Sequence, residues 1–159
     1  MGKRIGGKEV EGIIIREEGP IVGAKKLHEK NPIYVEQQLG KIKKAGLAVG
    51  ILSSDLQDAV ELRFGDLFGE KGERLVAVAV GNAAIDAQRN ELSALLLTAA
   101  EGMAISDSPK IAVFSPFDSD LIAADMAGMI RVRTGLERKQ GDDACADNLT
   151  SLLALIDRD

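Results

Sequence analysis

Leu75-Val76-Ala77-Val78-Ala79-Val80-Gly81-Asn82 contains the clearest strand in the sequence and the turn that follows it. Its unbroken apolar run, rich in β-branched side chains, predicts a strand that is covered on both faces. Gly81-Asn82 then marks a turn, and the apolar residues beyond it are spaced for a helix over about residues 83–102. A buried strand that leads through a polar turn into an amphipathic helix is the unit of a parallel α/β sheet.

The same unit recurs on both sides of this stretch. Apolar runs predict strands at residues 10–16, 47–52 and 110–114, and amphipathic patterns predict helices that begin near Pro32, Ser54 and Ser115. We therefore predict an α/β fold with a mainly parallel, four- to five-stranded sheet and helices on both faces. One alternative stays open, because residues 21–24 can pair back as an N-terminal hairpin, which gives a mixed sheet with helices on one face.

The length and the two ends of the chain indicate how it is organised. A chain of 159 residues corresponds to one domain. We predict a flexible, basic lead-in over residues 1–9 and a single α/β domain over residues 10–159, whose residues 143–157 form a C-terminal amphipathic helix. The apolar residues of this last helix follow the spacing i, i+3, i+4, i+7, so the helix must pack on its own domain or on a partner subunit. The sequence therefore also predicts a homo-oligomer.

Composition excludes several classes of protein. The net charge is −5, there is no Trp, and Tyr34 is the one tyrosine, so neither phosphate attraction nor stacking platforms favour binding to nucleic acid. No apolar stretch approaches the roughly 20 residues of a membrane span, and no signal peptide is evident. The single cysteine, Cys145, cannot form an intramolecular disulfide and fits a reducing, cytoplasmic location.

No catalytic motif names a reaction. Residues 2–9 come close to a phosphate-binding loop, but Glu9 stands where a Ser or Thr is needed and no strand precedes the loop. His28 is the only histidine, which rules out a zinc-protease pattern, and no nucleophile elbow is present. The sequence leaves open whether the protein is an enzyme.

Polar residues at the predicted strand ends are the candidates for a functional site. In open parallel sheets, ligands bind in the crevice beyond the carboxyl ends of the strands. We predict Asp118 and Asp120 as Mg²⁺ ligands or as a general base, and His28 as a proton carrier. The predicted ligand-binding residues are Ser54, Asp55, Gly81, Asn82 and Ser115.

A structural alternative exists for every one of these turns, because Ser, Asn and Asp also cap helices. Acidic residues at three predicted helix starts would repel an anion unless a divalent cation such as Mg²⁺ bridged them. We therefore predict the binding or turnover of a small polar or Mg²⁺-chelated phosphate ligand, with no cofactor other than Mg²⁺ suggested. The alternative function is a non-catalytic oligomeric or regulatory module.

Overall fold

A computed structural model describes residues 3–23, 34–64 and 75–158 of the protein. Its first element is an antiparallel hairpin of β1 (Lys3–Ile5) and β2 (Lys8–Val10). Gly6 and Gly7 turn the chain with φ of 56° and 79°, the left-handed conformations that a two-residue hairpin turn requires. Ile5 and Val10 are buried in the core and anchor the hairpin there. The flexibility of residues 1–9 stays a prediction.

Within the described parts of the chain, six parallel strands form the main sheet. They are β3 (Gly12–Arg16), β4 (Ala48–Leu52), β5 (Val78–Val80), β6 (Ile111–Ser115), β7 (Ile130–Thr134) and β8 (Ala144–Ala146). Their order is β5-β4-β3-β6-β7-β8, and every neighbouring pair is parallel. The prediction of a mainly parallel α/β sheet is confirmed. The N-terminal hairpin of the alternative prediction is also present, but residues 3–10 form it and it stays outside the main sheet.

Five α-helices whose bounds lie within the described residues cover the sheet. They are α1 (Tyr34–Lys44), α2 (Gln57–Arg63), α3 (Arg89–Gly102), α4 (Asp118–Met126) and α5 (Leu149–Arg158). Residues of α1, α2 and α5 join the hairpin in one core layer with Ile13 and Ile15, whereas α3 and α4 form the other layer with Ile14. Because successive residues of β3 face opposite layers, helices lie on both faces of the sheet, as predicted.

Two strands of the main sheet, β7 and β8, were not predicted from the sequence. The sequence of residues 130–134 is compatible with the end of a helix, because Arg131 and Arg133 are cations that suit a helix C-terminus. Instead α4 ends before Gly128, whose φ is 77°, and the chain continues as β7 with Ile130 and Val132 facing the core.

The predicted C-terminal helix over residues 143–157 is also corrected. Its first residues form β8, which pairs with β7, and α5 begins at Leu149. Asn148 supplies the reason for this start, because its side-chain Oδ1 accepts a hydrogen bond from the backbone N–H of Ser151 at 2.9 Å. Among the described residues, no helix is long and apolar enough to cross a membrane.

Candidate functional site

The carboxyl ends of the central strands meet at one edge of the sheet. β3 pairs with β4 on one side and with β6 on the other, so the chain moves outward to β5 and then returns to the opposite side of β3. This reversal creates a topological switch point at the carboxyl ends of β3 and β6, where open α/β sheets bind ligands. The residues at these two ends are Arg16 and Ser115.

Arg16 forms the centre of a buried hydrogen-bond network at this switch point. Its Nε and Nη2 donate to the two carboxylate oxygens of Asp120 at 2.7 and 2.6 Å, and both side chains are fully buried. Its Nη1 donates to the carbonyl oxygen of Ala83 at 2.5 Å and to Oε1 of Glu18 at 3.1 Å. Ser115 completes the network, because its hydroxyl donates to Oδ2 of Asp120 at 2.7 Å.

These contacts keep the guanidinium of Arg16 positively charged. Burial by itself lowers the pKa of Arg16, but the hydrogen bonds and negative charges of Asp120 and Glu18 outweigh burial and raise the pKa above its ordinary value. The ring of Phe117 adds a further contact, with its centre 5.9 Å from the guanidinium carbon. Arg16 is therefore a permanent buried cation at the edge of the sheet.

A second network lies beside the first, at the carboxyl end of β4. Arg63 of α2 donates to the carboxylate of Glu17 through Nε at 2.9 Å and Nη2 at 2.6 Å, and its Nη1 pairs with Asp55 at 2.9 Å. The single O–H of Ser53 lies between two carboxylates, 2.9 Å from Glu17 and 3.0 Å from Glu18, and is shared between them. Since Glu18 also contacts Arg16, the two networks are continuous.

Asp118 belongs to a third network, on β7. Its Oδ1 lies 2.8 Å from Nη2 of Arg133, although the Asp118 side chain is 67% exposed. Arg133 also donates through Nε to Asp142 at 2.6 Å, and Arg131 donates to the same carboxylate at 3.0 Å. The two predicted Mg²⁺ ligands, Asp118 and Asp120, are thus engaged by two different arginines.

The described residues do not fit the predicted magnesium site. Both oxygens of Asp120 accept hydrogen bonds from Arg16, so a metal ion would have to displace a buried guanidinium. Within the described ranges there is also no group of three or more His, Cys, Asp or Glu side chains that could hold a metal ion. The arrangement favours an ion pair at the place where the sequence predicts a cation site.

The predicted ligand-binding residues are brought to the same edge but differ in their surroundings. The side chains of Ser54 and Asn82 are exposed and make no hydrogen bond to other described residues. The backbone N–H of Asn82 donates to the carbonyl oxygen of Asp55 at 2.7 Å, which places the two turns side by side. Asn82 also has a φ of 59°, an uncommon conformation outside glycine for which asparagine is enriched.

Gly81 and Ser115 serve contacts within the protein. A Cβ atom added at Gly81 would lie 2.6 Å from Cα of Gln57, so α2 begins where a side chain would otherwise stand. The side chain of Gln57 uses this approach, because its Oε1 accepts the backbone N–H of Gly81 at 2.6 Å. His28 lies outside the described residues.

Helix capping does not explain these polar turns. The residues that precede α2, α3 and α4 are Leu56, Gln88 and Phe117, and none makes a side-chain capping hydrogen bond. α3 also begins at Arg89 and not near residue 83. The hydroxyls of Ser53 and Ser115 instead hold the carboxylates of the networks described above.

A pocket lies next to this edge, between the start of α3 and the exposed side of α4. Its volume is about 680 Å³, within the range of small-molecule sites. Ile122 and Met126 form an apolar wall, and Arg89, Asn90 and Ser119 are among its polar residues. The Ser119 hydroxyl donates to the carbonyl oxygen of Ile85 at 2.6 Å, which ties α4 to the loop after β5.

Sequence reasoning missed Arg16, Glu17, Glu18 and Arg63. The signal was present, because three consecutive charged residues directly follow the buried run Ile13-Ile14-Ile15. The sequence places Arg16 at the end of a predicted strand and Glu17-Glu18 in the turn that follows, where charged side chains are usually exposed. Only the fold shows that Arg16 and Glu17 are buried against partners far along the chain.

No protein-family model matches the sequence, and no curated protein matches it significantly. Solved structures do share the fold. A HAD-superfamily hydrolase from Ehrlichia chaffeensis aligns with a TM-score of 0.63 and 10% identity over 99% of this chain and 98% of that one. A β-phosphoglucomutase from Clostridium difficile aligns with a TM-score of 0.59 and 11% identity over 90% of this chain and 93% of that one.

A third structure, CbbY from Rhodobacter sphaeroides in complex with phosphate, aligns with a TM-score of 0.56 and 18% identity. The alignment covers 77% of this chain and 57% of CbbY, so the chain corresponds to little more than half of that protein. At these identities the comparisons establish the fold: an α/β architecture with a mainly parallel sheet, as in HAD-superfamily proteins and other Rossmann-type folds.

Proposed function

We propose that the protein binds a small polar ligand at the carboxyl edge of its sheet. The observation that carries this proposal is the buried charge at the switch point, where Arg16, Asp120 and Glu17 are all nearly or fully inaccessible. Burying ion pairs costs desolvation energy, and apolar residues of similar volume often stabilise a fold equally well. Charge concentrated at the usual ligand site of a fold is therefore better explained by function than by stability.

The exposed groups on this edge define the chemistry of the ligand. Ser54 and Asn82 offer a hydroxyl and an amide, whereas Glu18, Asp55 and Asp118 offer carboxylate oxygens at partly exposed positions. Most of these atoms accept hydrogen bonds, so they suit a ligand rich in hydroxyl or amine donors. A free sugar or an amino sugar has these properties.

The adjacent pocket is large enough for a small ligand and adds one side chain that could recognise it. Arg89, at the start of α3, is exposed and lines the pocket. A cation at a helix N-terminus suits an anionic group on the ligand. A phosphate ester of the same sugar would therefore contact Arg89, which is consistent with a fold shared with a protein solved in complex with phosphate.

Calorimetric titration tests the proposal with free sugars, amino sugars and sugar phosphates, each with and without Mg²⁺. Ser54→Ala and Asn82→Gly each remove one polar contact, and glycine keeps the left-handed backbone at position 82. Each variant is expected to weaken binding by about 1 kcal/mol, or roughly fivefold. Ser106→Ala is the matched control, because Ser106 is exposed and precedes β6 at the opposite edge.

Arg89→Gln distinguishes the two ligand classes. Removing this cation is expected to weaken a phosphate ester and to leave the free sugar unaffected. Binding that is absent for every compound, or that is equally strong in Ser54→Ala, Asn82→Gly and Ser106→Ala, would contradict the proposal. A catalytic role for Asp118, Asp120 or His28 and a cytoplasmic location stay predictions.

The alternative function, an oligomeric or regulatory module, loses its main support. The apolar stripe of α5 is buried within the domain, where Leu149, Leu152 and Ile156 are fully inaccessible. α5 packs against α1, the hairpin strand β1 and β8. This helix therefore needs no partner subunit to cover its apolar face, and homo-oligomerisation stays a prediction.

A further inference from the structure

The guanidinium of Arg16 lies in a cage of oxygen atoms. The cage consists of both carboxylate oxygens of Asp120, Oε1 of Glu18 and the carbonyl oxygen of Ala83, at 2.5–3.1 Å from the guanidinium nitrogens. The hydroxyl of Ser115 contacts the same carboxylate from the other side. Three of these four hydrogen bonds are buried, and the fourth, to Glu18, is partly buried.

These oxygens are the ligands that hard divalent cations prefer. Mg²⁺ and Ca²⁺ bind carboxylate and backbone carbonyl oxygens, and Mg²⁺ requires them at about 2.0–2.1 Å. Such an ion cannot enter while Arg16 uses both oxygens of Asp120, because the two cations would repel each other strongly in a site of low dielectric. The guanidinium and a metal ion therefore exclude each other.

We infer that Arg16 is the resident cation of this site and makes the carboxyl edge of the sheet independent of a divalent metal ion. The arginine is covalently part of β3, so its charge is present at any metal concentration. Its planar shape allows two parallel hydrogen bonds to Asp120, which fix the start of α4 against the end of β3. This inference does not depend on the identity of a ligand or on the proposed function.

Removing the guanidinium should convert the cage into a metal site. In Arg16→Ala, Asp120 would remain buried with Ser115 as its nearest hydrogen-bond donor, and the space of the arginine side chain would be vacant. A small divalent cation could then bind Asp120, Glu18 and the carbonyl oxygen of Ala83. Arg16→Lys is the matched control, because it keeps a positive charge in the cage.

Thermal unfolding shows whether a divalent cation takes the place of the guanidinium. The Tm of each variant is measured with Mg²⁺ or Ca²⁺ alone and is compared with the Tm in NaCl of equal ionic strength. Wild type and Arg16→Lys are expected to show the same Tm in all three salts. Arg16→Ala is expected to melt at a lower temperature in NaCl and to gain roughly 5 °C or more in the divalent salts. Arg16→Ala combined with Asp120→Asn should lose that gain, which assigns the cation to the cage.

Two results would overturn the inference. One is a wild-type protein whose Tm rises in Mg²⁺ while the Tm of Asp120→Asn does not. The other is a folded Arg16→Ala variant that shows no gain in either divalent salt. If Arg16→Ala fails to fold in every salt, Arg16→Gln serves for the same comparison, since it removes the charge and retains part of the hydrogen bonding.

Discussion

Arg16 and Asp120 lie 104 residues apart in the chain and are joined by two short hydrogen bonds in a fully buried site. The pair connects the end of β3, the central strand, to the first turn of α4. It therefore links the two halves of the sheet at the switch point. A buried ion pair adds little to stability compared with apolar residues, but the loss of one partner is costly because the other charge is left unpaired.

We expect Asp120→Ala to lower the free energy of unfolding by about 3–5 kcal/mol, because it leaves the Arg16 charge buried without its main partner. Asp118→Ala is the control, since Asp118 is exposed and Arg133 keeps Asp142, and its cost should stay below about 1 kcal/mol. Urea unfolding measures both. Equal losses in the two variants would show that the pair is not the dominant interaction.

The double variant Arg16→Met with Asp120→Leu is expected to regain most of the stability that Asp120→Ala loses. Apolar side chains of similar volume need no hydrogen-bond partners in the space vacated by the ion pair. The same urea experiment, arranged as a double-mutant cycle, gives the coupling energy between the two positions. Additive losses would mean that the two side chains act independently.

Gly81 and Gly40 should respond to alanine in opposite directions. At Gly81 a Cβ atom would come within 2.6 Å of backbone atoms of Gln57, so the overpacked variant should lose about 1–3 kcal/mol. At Gly40, inside α1, the nearest atom is Cδ2 of Leu75 at an ordinary 3.8 Å. Alanine there should stabilise the helix by about 0.5–1 kcal/mol. Chemical denaturation of the two variants checks both signs.

The lowered pKa of Asp142 predicts that the stability of the protein depends on pH. Burial by itself raises the pKa of Asp142, but hydrogen bonds from Arg133, Arg131 and the backbone N–H of Lys139 outweigh it and hold the pKa below the ordinary 3.8. A carboxyl group with a lowered pKa stabilises the fold above its unfolded-state pKa, and this contribution is lost as the pH falls through its folded-state pKa. The free energy of unfolding should therefore decline below about pH 4.

Asp142→Asn tests the origin of that decline. The variant should be less stable than wild type at neutral pH, and the two curves of unfolding free energy against pH should converge in acid. Parallel curves over the whole range would show that Asp142 does not contribute to the acid sensitivity.

Leu152 tests whether α5 stabilises the domain or a subunit interface. Leu152→Ala should lower the free energy of unfolding by about 2–5 kcal/mol, because Leu152 is fully buried within one chain. Leu136→Ala is the control, since Leu136 is 83% exposed and its change should stay within about 0.5 kcal/mol. Urea unfolding at several protein concentrations measures both. A loss for Leu152→Ala that depends on protein concentration would instead indicate an interface between chains.

Periodicity is a local property of the chain, so the amino-acid sequence is sufficient to predict the class of fold. Apolar runs located β3, β4, β5 and β6 to within a few residues, and helical spacing identified α2, α3 and α5 even where their boundaries differed. It also placed Ser54, Asn82 and Ser115 at the carboxyl ends of strands. β7 was missed because Arg131 and Arg133 suit a helix terminus, and only the fold shows that Asp142 neutralises them inside a strand. β8 was missed because its residues fall within the predicted C-terminal helix.

The tertiary structure alone decided which charges meet. Nothing local links Arg16 to Asp120 or Glu17 to Arg63, since these partners are brought together by the strand order and by the packing of α2 and α4 on the sheet. The sequence therefore suggested Asp120 as a metal ligand, whereas in the structure both of its carboxylate oxygens pair with Arg16. A hydrophobic pattern is visible in the local sequence, because it depends on the spacing of neighbouring residues. The pairing of buried charges depends on distances between residues that are far apart in the chain and come close only after folding.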